Sequence, residues 1–261
     1  MTGQELLLVY DEQLRTDAET SGAIAVTRLG PLLLVTRAGG RGLVTYRDLD
    51  GTDASTMPRL VRPALDYYRQ DAEIGGVEWK TRGHDRAPGL HEALLDHGFE
   101  PDEPESIMIG HASMLDVGLP LPAGVALRRV SEKEDIRAMT SMQDAVFGST
   151  RSDDVTEELL RRLALEDGME LWVAEAKGQI VCAGRLDPVA GTDFAGIWGG
   201  ATREDWRGQG IYRALTAARA RSALAMGKSF IYSESTEYSR PILERSGFLK
   251  VSTTTPYHWR R

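Results

Sequence analysis

The sequence has a single cysteine, Cys182, and no long apolar run. One thiol cannot form an internal disulfide, and its apolar neighbours favour a packed side chain over a nucleophile. No apolar stretch approaches the roughly 18 residues that a membrane span requires. The apolar patch at residues 6–9 is not preceded by the basic segment of a signal peptide. We therefore expect a cytoplasmic protein that does not contact a membrane.

Basic residues are fewer than acidic ones, and the histidines lack the spacing of metal ligands. The chain carries 31 Lys and Arg against 39 Asp and Glu, a net charge of −8. Because nucleic-acid-binding proteins usually present a broadly basic face, we expect no nucleic-acid partner. The five histidines lack metal-ligand spacing, so we expect no metal site; they are His84, His91, His97, His111 and His258. A small-molecule partner and a monomer or homodimer are the remaining expectations.

Residues 194–226 carry the features of an anion-binding turn. An apolar strand at 194–198 leads to Gly199 and Gly200, and a polar turn at 207–210 opens a helix that begins at Ile211. The first-turn N–H groups of a helix lack intrahelical partners, and its dipole adds positive potential. Gly208 and Gly210 have no Cβ to block a phosphate oxygen. This stretch therefore predicts a phosphate site.

Charge around this turn supports the same prediction. No acidic residue lies between Trp206 and Tyr232, although the chain as a whole is acidic. A local basic island suits a small polyanion, and its members are Arg207, Arg213, Arg219, Arg221 and Lys228. The alternative is an ordinary strand-turn-helix unit with a solvated arginine face.

The turn resembles the [Q/R]-x-x-G-x-[G/A] motif of the GNAT superfamily of N-acetyltransferases, which binds the pyrophosphate of acetyl-CoA. It departs from that motif at Tyr212, where the family usually has Gly or Ala. The following strand, helix, Gly247-Phe248 pair and last strand also resemble the GNAT core, back to about Val125. The resemblance implies acetyl-CoA as co-substrate and no metal. It implies cofactor contacts from Gly200, Ala201, Thr202, Arg207, Gly208, Gln209, Gly210, Ile211, Tyr212 and Arg213.

A helix followed by Gly-Phe and a strand occurs twice, ending at Gly98-Phe99 and at Gly247-Phe248. Each copy is preceded by a short strand, a helix and three strands, which indicates a tandem repeat. We predict an α/β (α+β) protein with two GNAT-like domains, each a mixed, mostly antiparallel sheet flanked by helices. Residues 1–112 form a degenerate copy, 113–124 a linker rich in Gly and Pro, and 125–261 the acetyl-CoA-binding domain.

The first copy has no cofactor turn. Between its third strand and the helix at Pro58, which Ser55 or Thr56 can cap, lie acidic residues where phosphates would bind; these are Asp48, Asp50 and Asp53. We therefore expect one acetyl-CoA site per chain.

Acetyl transfer to an amine needs a base, donors for the thioester carbonyl and a proton for the departing thiolate. The resemblance places the carbonyl donor on the strand at residues 199–202. Glu234 is our candidate base because it ends a strand at the expected crevice, with Glu237 and Asp187 as alternatives. The family's acidic Tyr is Leu243 here and its Asn is Thr236, so Tyr238 or Tyr212 would replace the acid.

The predicted function is direct transfer of acetyl from acetyl-CoA to the primary amine of a small, cationic molecule. The acidic helix at 152–170 would attract such an acceptor, unless it is simply a solvated face. The missing Tyr and Asn leave a second possibility, an acetyl-CoA-binding sensor without turnover. Acetylation of a protein N-terminus or lysine, and a docking role for the first copy, also stay open.

Overall fold

The computed structural model describes residues 1–49 and 51–261. The chain contains both helices and strands. The first half contains α1 (Gly3–Gln13), β1 (Ala25–Leu29), β2 (Leu32–Arg37), β3 (Arg41–Tyr46), α2 (Pro58–Arg69), β4 (Gly76–Arg82), α3 (Leu90–Asp96), β5 (Glu100–Pro101) and β6 (Glu105–His111). The second half contains α4 (Ala112–Leu115), β7 (Val125–Val130), α5 (Lys133–Phe147), α6 (Ser152–Leu163), β8 (Glu170–Ala176), β9 (Gln179–Pro188), β10 (Phe194–Thr202), α7 (Ile211–Ala225), β11 (Phe230–Ser235), α8 (Arg240–Ser246) and β12 (Leu249–Arg260).

The chain forms two compact units, and neither is continuous in sequence. Unit 1 comprises residues 1–108, 234–241 and 250–261, and unit 2 comprises 109–233 and 242–249. The predicted domains, 1–112 and 125–261, assume that each half of the chain builds its own sheet. The structure differs because the last strand completes the sheet of unit 1. The linker at 113–124 stays a prediction for the boundary between the sequence repeats.

Unit 1 is built on a mixed sheet with strand order β1-β2-β3-β4-β12-β6. The first three strands are antiparallel neighbours, and β3 and β4 run parallel around the crossover helix α2. Residues 254–260 of β12 pair antiparallel with β4. Tyr257 and Trp259 of β12 belong to the same core as Trp79 of β4 and Phe99 after α3. The core of unit 1 therefore includes side chains from both ends of the sequence.

Unit 2 contains the strands β11-β10-β9-β8-β7 in that order. Neighbours from β7 to β10 are antiparallel, and β10 and β11 are parallel around α7. Because side chains alternate across a sheet, neighbouring residues of β9 join different cores. Ala183 packs with Met139 of α5, whereas Cys182 packs with Leu215 of α7. Helices thus cover both faces of this sheet.

The two units share one succession of elements, which confirms the predicted fold class. Each has at least three antiparallel strands, a crossover helix, a parallel strand and a helix that ends in Gly-Phe. Gly98 and Gly247 both adopt a positive φ, of 82° and 104°, a conformation that favours glycine at a helix end. The phenylalanine after each glycine is buried, with 2% exposure. The same local chemistry therefore ends both helices.

The prediction that Ser55 or Thr56 caps α2 is wrong. Met57 is the N-cap of α2, and it makes no side-chain hydrogen bond there. Instead, the Asp53 carboxylate accepts hydrogen bonds from the backbone N–H and hydroxyl groups of Ser55 and Thr56. These bonds, led by those from the side chains of Ser55 and Thr56, lower the pKa of Asp53. A carboxylate thus engages the N–H groups before α2; Asp50 lies outside the described residues.

Within residues 1–49 and 51–261, none of the helices combines the length and the apolar character that crossing a bilayer would demand.

Candidate functional site

The turn before α7 has the geometry of an anion site. Gly208 and Gly210 have positive φ values of 74° and 78°, and a Cβ added at either would meet nothing within 4 Å. Gly210 is the N-cap of α7 and provides no capping side chain, and the first turn carries no acidic residue. The N–H groups of Ile211, Tyr212 and Arg213 consequently lack intrahelical acceptors. The glycines and the helix terminus therefore fit the phosphates of acetyl-CoA.

Strand β10 contains a bulge directly before this turn. Trp198 lies opposite Arg185 of β9, and the next pair is Ala201 with Ala183, so Gly199 and Gly200 together face one residue of β9. The two glycines are exposed, and Gly199 has a φ of 60°. A bulge leaves backbone groups outside the ladder. It therefore exposes polar backbone near the turn, as the predicted contact with the thioester arm requires.

Helix α5 contributes a hydrogen bond to this bulge that the sequence did not predict. Gln143 Nε2 donates to the carbonyl oxygen of Gly199 over 2.6 Å. The structure buries Met142 and directs Gln143 to the strand. One acceptor of the bulge is thus satisfied inside the protein.

The five members of the predicted basic island have different environments. Arg213 is exposed, and Arg207 is exposed with its Nε donating to the carbonyl of Thr202. Arg221 pairs with Asp116, and Lys228 Nζ donates to two carbonyl oxygens. Arg219 is completely buried. Only the two arginines at the turn itself are therefore available to an anion.

Glu234, the candidate base, is held in an ion pair. Its Oε1 lies 2.6 Å from Nζ of Lys80, and its side chain is 10% exposed. The hydroxyl of the preceding residue, Ser233, donates to the carbonyl of Ile197 in β10. This bond keeps β11 beside β10 as far as Ser233. The ammonium group of Lys80 therefore lies directly against the carboxylate that we assign as the base. Lys80 was not predicted as the partner of Glu234.

Tyr238, the candidate acid, is 89% exposed in the turn between β11 and α8. Tyr212 is half-buried, and a Cβ at Gly200 would lie 2.6 Å from its hydroxyl oxygen. Tyr212 is therefore the tyrosine whose hydroxyl contacts the bulge. Leu243, at the family's acid position, is buried in the core.

The alternative bases differ in their pKa directions. Hydrogen bonds from Arg240 are the main cause that lowers the pKa of the exposed Glu237, which weakens it as a base. Burial raises the pKa of Asp187, although it pairs with Arg185 over 2.8 Å. Glu105 of β6 was not predicted: burial, followed by the charge of Glu234, raises its pKa. Its position at the start of an apolar strand was the only available signal.

Cys182 is buried, and burial raises the pKa of its thiol to about 11. Since the thiolate is the nucleophilic form, this cysteine is unsuited to carry an acyl group.

A polar groove of about 830 Å³ lies in unit 2, between α5, the β8–β9 hairpin and residues 203–207. None of the acidic residues at 152–170 lines it. The acidic residues that do line it include Asp135 and Glu175, which pair with Arg128 over 2.6 and 2.8 Å. Elsewhere Glu157 and Glu170 pair with Lys133 and Arg129. An acidic rim that attracts the acceptor thus stays a prediction, with the solvated face as its alternative.

In unit 1, side-chain hydrogen bonds bridge the ends of the parallel strands β3 and β4. Beyond the pairing of β3 with β4, Arg15 donates to the carbonyl of Tyr46 over 3.0 Å and to Asp85 over 2.6 Å. Glu19 accepts from Thr45 of β3 and from Arg82 of β4. Side chains that follow α1 therefore link the ends of the two parallel strands. In unit 2, the corresponding strand β10 presents exposed glycines.

Comparisons with known proteins agree with this geometry. Residues 132–259 match the family model of an acetyltransferase (GNAT) domain. A GCN5-related N-acetyltransferase from Kribbella flavida is 16% identical, with 93% of each chain covered and a TM-score of 0.69. A GCN5-related N-acetyltransferase from Sphaerobacter thermophilus is 17% identical over 88% of this chain and 76% of its own, with a TM-score of 0.62. A tandem GNAT protein from the clavulanic acid biosynthesis pathway is 14% identical over 90% and 81%, with a TM-score of 0.63. No curated protein matches the sequence.

At these identities the solved structures share the fold, and the family model adds the match in sequence. Residues 132–259 therefore form an acetyltransferase (GNAT) domain. The glycine turn before α7 lies within this domain.

Proposed function

We propose that this protein transfers an acetyl group from acetyl-CoA directly to the primary amine of a small, cationic molecule. The observation that carries the proposal is the turn at residues 207–210. It joins a bulged strand to an uncapped helix and leaves open space at two glycines with positive φ. Phosphates bound there would direct the thioester arm toward Gly199 and Gly200.

In the proposed reaction the amine nitrogen attacks the thioester carbonyl, the C–S bond breaks and CoA leaves as the thiolate. Backbone N–H groups of the bulge stabilise the carbonyl oxygen as it gains negative charge. The proton of the attacking amine goes to Glu234, directly or through water. Tyr212 or Tyr238 supplies a proton to the thiolate. The buried thiol of Cys182 supports direct transfer, because no exposed nucleophile is offered by that residue.

The second candidate function is an acetyl-CoA-binding sensor without turnover. It is favoured by the absence of the family's tyrosine at Leu243 and by the exposure of Tyr238, which leaves the acid unassigned. Acetylation of a protein N-terminus or lysine is a further form of the enzyme. We also propose a monomer or homodimer in the cytoplasm, with neither nucleic acid nor membrane as partner.

The test of the enzyme is acetyl-CoA-dependent release of free CoA thiol. The amines should include an aminoglycoside, a polyamine, free amino acids and a peptide with a free N-terminus. Release with the polyamine or aminoglycoside supports the proposal, and release with the peptide alone would assign the protein substrate instead. Binding of acetyl-CoA without release in any arm would establish the sensor.

The test of the turn uses the substitution Gly208→Asp with Gly191→Asp as its matched control. Both glycines have a positive φ, 74° and 71°, and open space at the Cβ position, so both substitutions strain the backbone alike. Only the first places a negative charge at the proposed phosphate site. Acetyl-CoA should raise the melting temperature of the wild type and the control, by linkage, but not that of Gly208→Asp. Equal shifts in both variants would refute this location of the cofactor.

A further inference from the structure

Arg219, in the middle of α7, is a fully buried cation, with 0% of its side chain exposed. Its guanidinium donates to the carbonyl of Arg185 over 3.2 Å, to the hydroxyl of Thr216 over 3.2 Å and to the carbonyl of Leu215 over 3.4 Å. It also lies 5.6 Å from the ring centre of Tyr212. Throughout the described part of the chain, none of its partners is a carboxylate. Burying a cation on neutral acceptors costs free energy, so this position requires an explanation.

The acceptors of Arg219 lie next to the β10 bulge. Arg185 is the residue opposite Trp198, the last pair before the register shifts. Gly184 is the single residue of β9 that faces the bulge, and a Cβ there would lie 2.5 Å from Nη1 of Arg219. A side chain at Gly184 would therefore displace the guanidinium, which lies directly on the strand. Arg219 binds the sheet where the ladder is irregular.

Tyr212 links Arg219 to the exposed side of the bulge. The two residues are seven positions apart, hence on one face of the helix. Thr216, between them, donates to the carbonyl of Tyr212 and accepts from Arg219. The Tyr212 ring covers Gly200, since a Cβ there would lie 2.6 to 3.0 Å from its ring and hydroxyl atoms. One connected layer of three α7 side chains therefore contacts both strands at the bulge.

We propose that Arg219 is a positioning residue for acetyl transfer, which holds the Gly199–Gly200 bulge through Arg185 and Tyr212. This inference rests on the proposed function. The bulge N–H groups must point to the oxygen of the reacting thioester, and a displacement of about 1 Å can cost 10²-fold in rate. The phosphates of CoA bind at the separate turn at 207–210. Loss of Arg219 should thus impair the chemical step more than the binding of CoA.

The first measurement needs no ligand. Amide hydrogen exchange of the full-length chain, read by mass spectrometry, compares the wild type with Arg219→Met and with Arg221→Met. Arg221 is on the same helix, but its side chain is 63% exposed and pairs with Asp116, so its variant is the control. The exchange rate of residues 198–202 should rise in Arg219→Met and stay at the wild-type value in Arg221→Met. Tyr212→Ala removes the half-buried ring that covers Gly200, so it should also raise the exchange of residues 198–202. It serves as the second variant if Arg219→Met does not fold. Unchanged exchange at 198–202 would overturn the proposal.

The second measurement separates positioning from general stability. With the best amine from the thiol-release panel, kcat of Arg219→Met should fall about 10²-fold, while the Kd for CoA, by calorimetry, stays within about twofold. Arg219→Lys keeps the positive charge but not the planar set of guanidinium donors. Its kcat should therefore lie between those of the wild type and Arg219→Met. An equal loss of kcat and CoA affinity would indicate a merely structural role and refute the proposal. A wild type that binds no acetyl-CoA would refute the proposed function, and the exchange result would still decide whether Arg219 holds the bulge.

Discussion

The buried pair of Glu19 and Arg82 permits a quantitative prediction for unit 1. The Arg82 side chain has no exposed surface, and that of Glu19 is 14% exposed. Glu19 also accepts a hydrogen bond from Thr45. The substitution Glu19→Gln removes the negative charge but keeps the size of the side chain. It leaves the guanidinium of Arg82 buried without its carboxylate.

Breaking one side of a buried ion pair costs about 3–5 kcal/mol. In a chain of this size, 1 kcal/mol corresponds to about 2–4 °C in melting temperature. The melting temperature of Glu19→Gln should therefore fall by about 6–20 °C at neutral pH. Asp17→Asn is the control, because Asp17 is 87% exposed and lies 3.9 Å from Arg28. Surface pairs of this kind contribute little, so the control should melt near the wild type.

The pH dependence of this difference has a definite sign. Burial alone would raise the pKa of Glu19, but the charges of Arg82 and Lys80 and the bond from Thr45 hold it below its ordinary value of 4.5. A carboxyl whose pKa is lowered by folding stabilises the protein above its unfolded value, and that stabilisation is lost as the pH falls. The difference in melting temperature between the wild type and Glu19→Gln should thus be largest at neutral pH and should decrease below pH 4.5.

Thermal unfolding followed by circular dichroism at several pH values tests both statements. The double variant Glu19→Gln with Arg82→Met should recover much of the lost stability, because it removes the stranded charge. A Glu19→Gln variant as stable as Asp17→Asn would refute the magnitude. A gap that does not change in acid would refute the assignment of the carboxylate.

Two predictions concern the reaction. Glu234→Gln should lower turnover by about 10²–10⁴-fold, while calorimetry still detects acetyl-CoA binding. The double variant Glu234→Gln with Lys80→Met controls for the lysine left without its partner, and unaffected turnover in Glu234→Gln would move the base to Glu105, Asp187 or a water. Calorimetry should also return one acetyl-CoA per chain, because the N–H groups before α2 already bind the Asp53 carboxylate; two equivalent sites would contradict this account of unit 1.

The sequence was sufficient where structure depends on local chemistry. The glycines at 208 and 210 and the helix from Ile211 follow from turn preferences and helical spacing, and each lies as expected. The Gly-Phe repeats likewise revealed two related units, because a helix end is recorded in a few adjacent residues.

Features that depend on distant parts of the chain could not be predicted in this way. The basic island shows this, since Arg219 and Arg213 are indistinguishable in sequence, yet one is buried against β9 and the other is exposed. Lys80 lies more than 150 positions from its partner Glu234, so no spacing rule connects them. The pairing of β12 with β4 is of the same kind. The hydrophobic pattern of a strand predicts which of its side chains are buried, but it does not identify the strand with which it pairs.

That pairing has a consequence for the order in which the protein is made. A ribosome synthesises residues 1–108 first, but the strand that covers the edge of β4 and supplies Tyr257 and Trp259 to the core comes from residues 250–261. Until then, the nascent first unit must expose an unpaired strand edge, which is prone to association with other chains. Residues 109–233 of unit 2 are complete earlier. The N-terminal unit is therefore the later of the two to obtain all of its residues during translation.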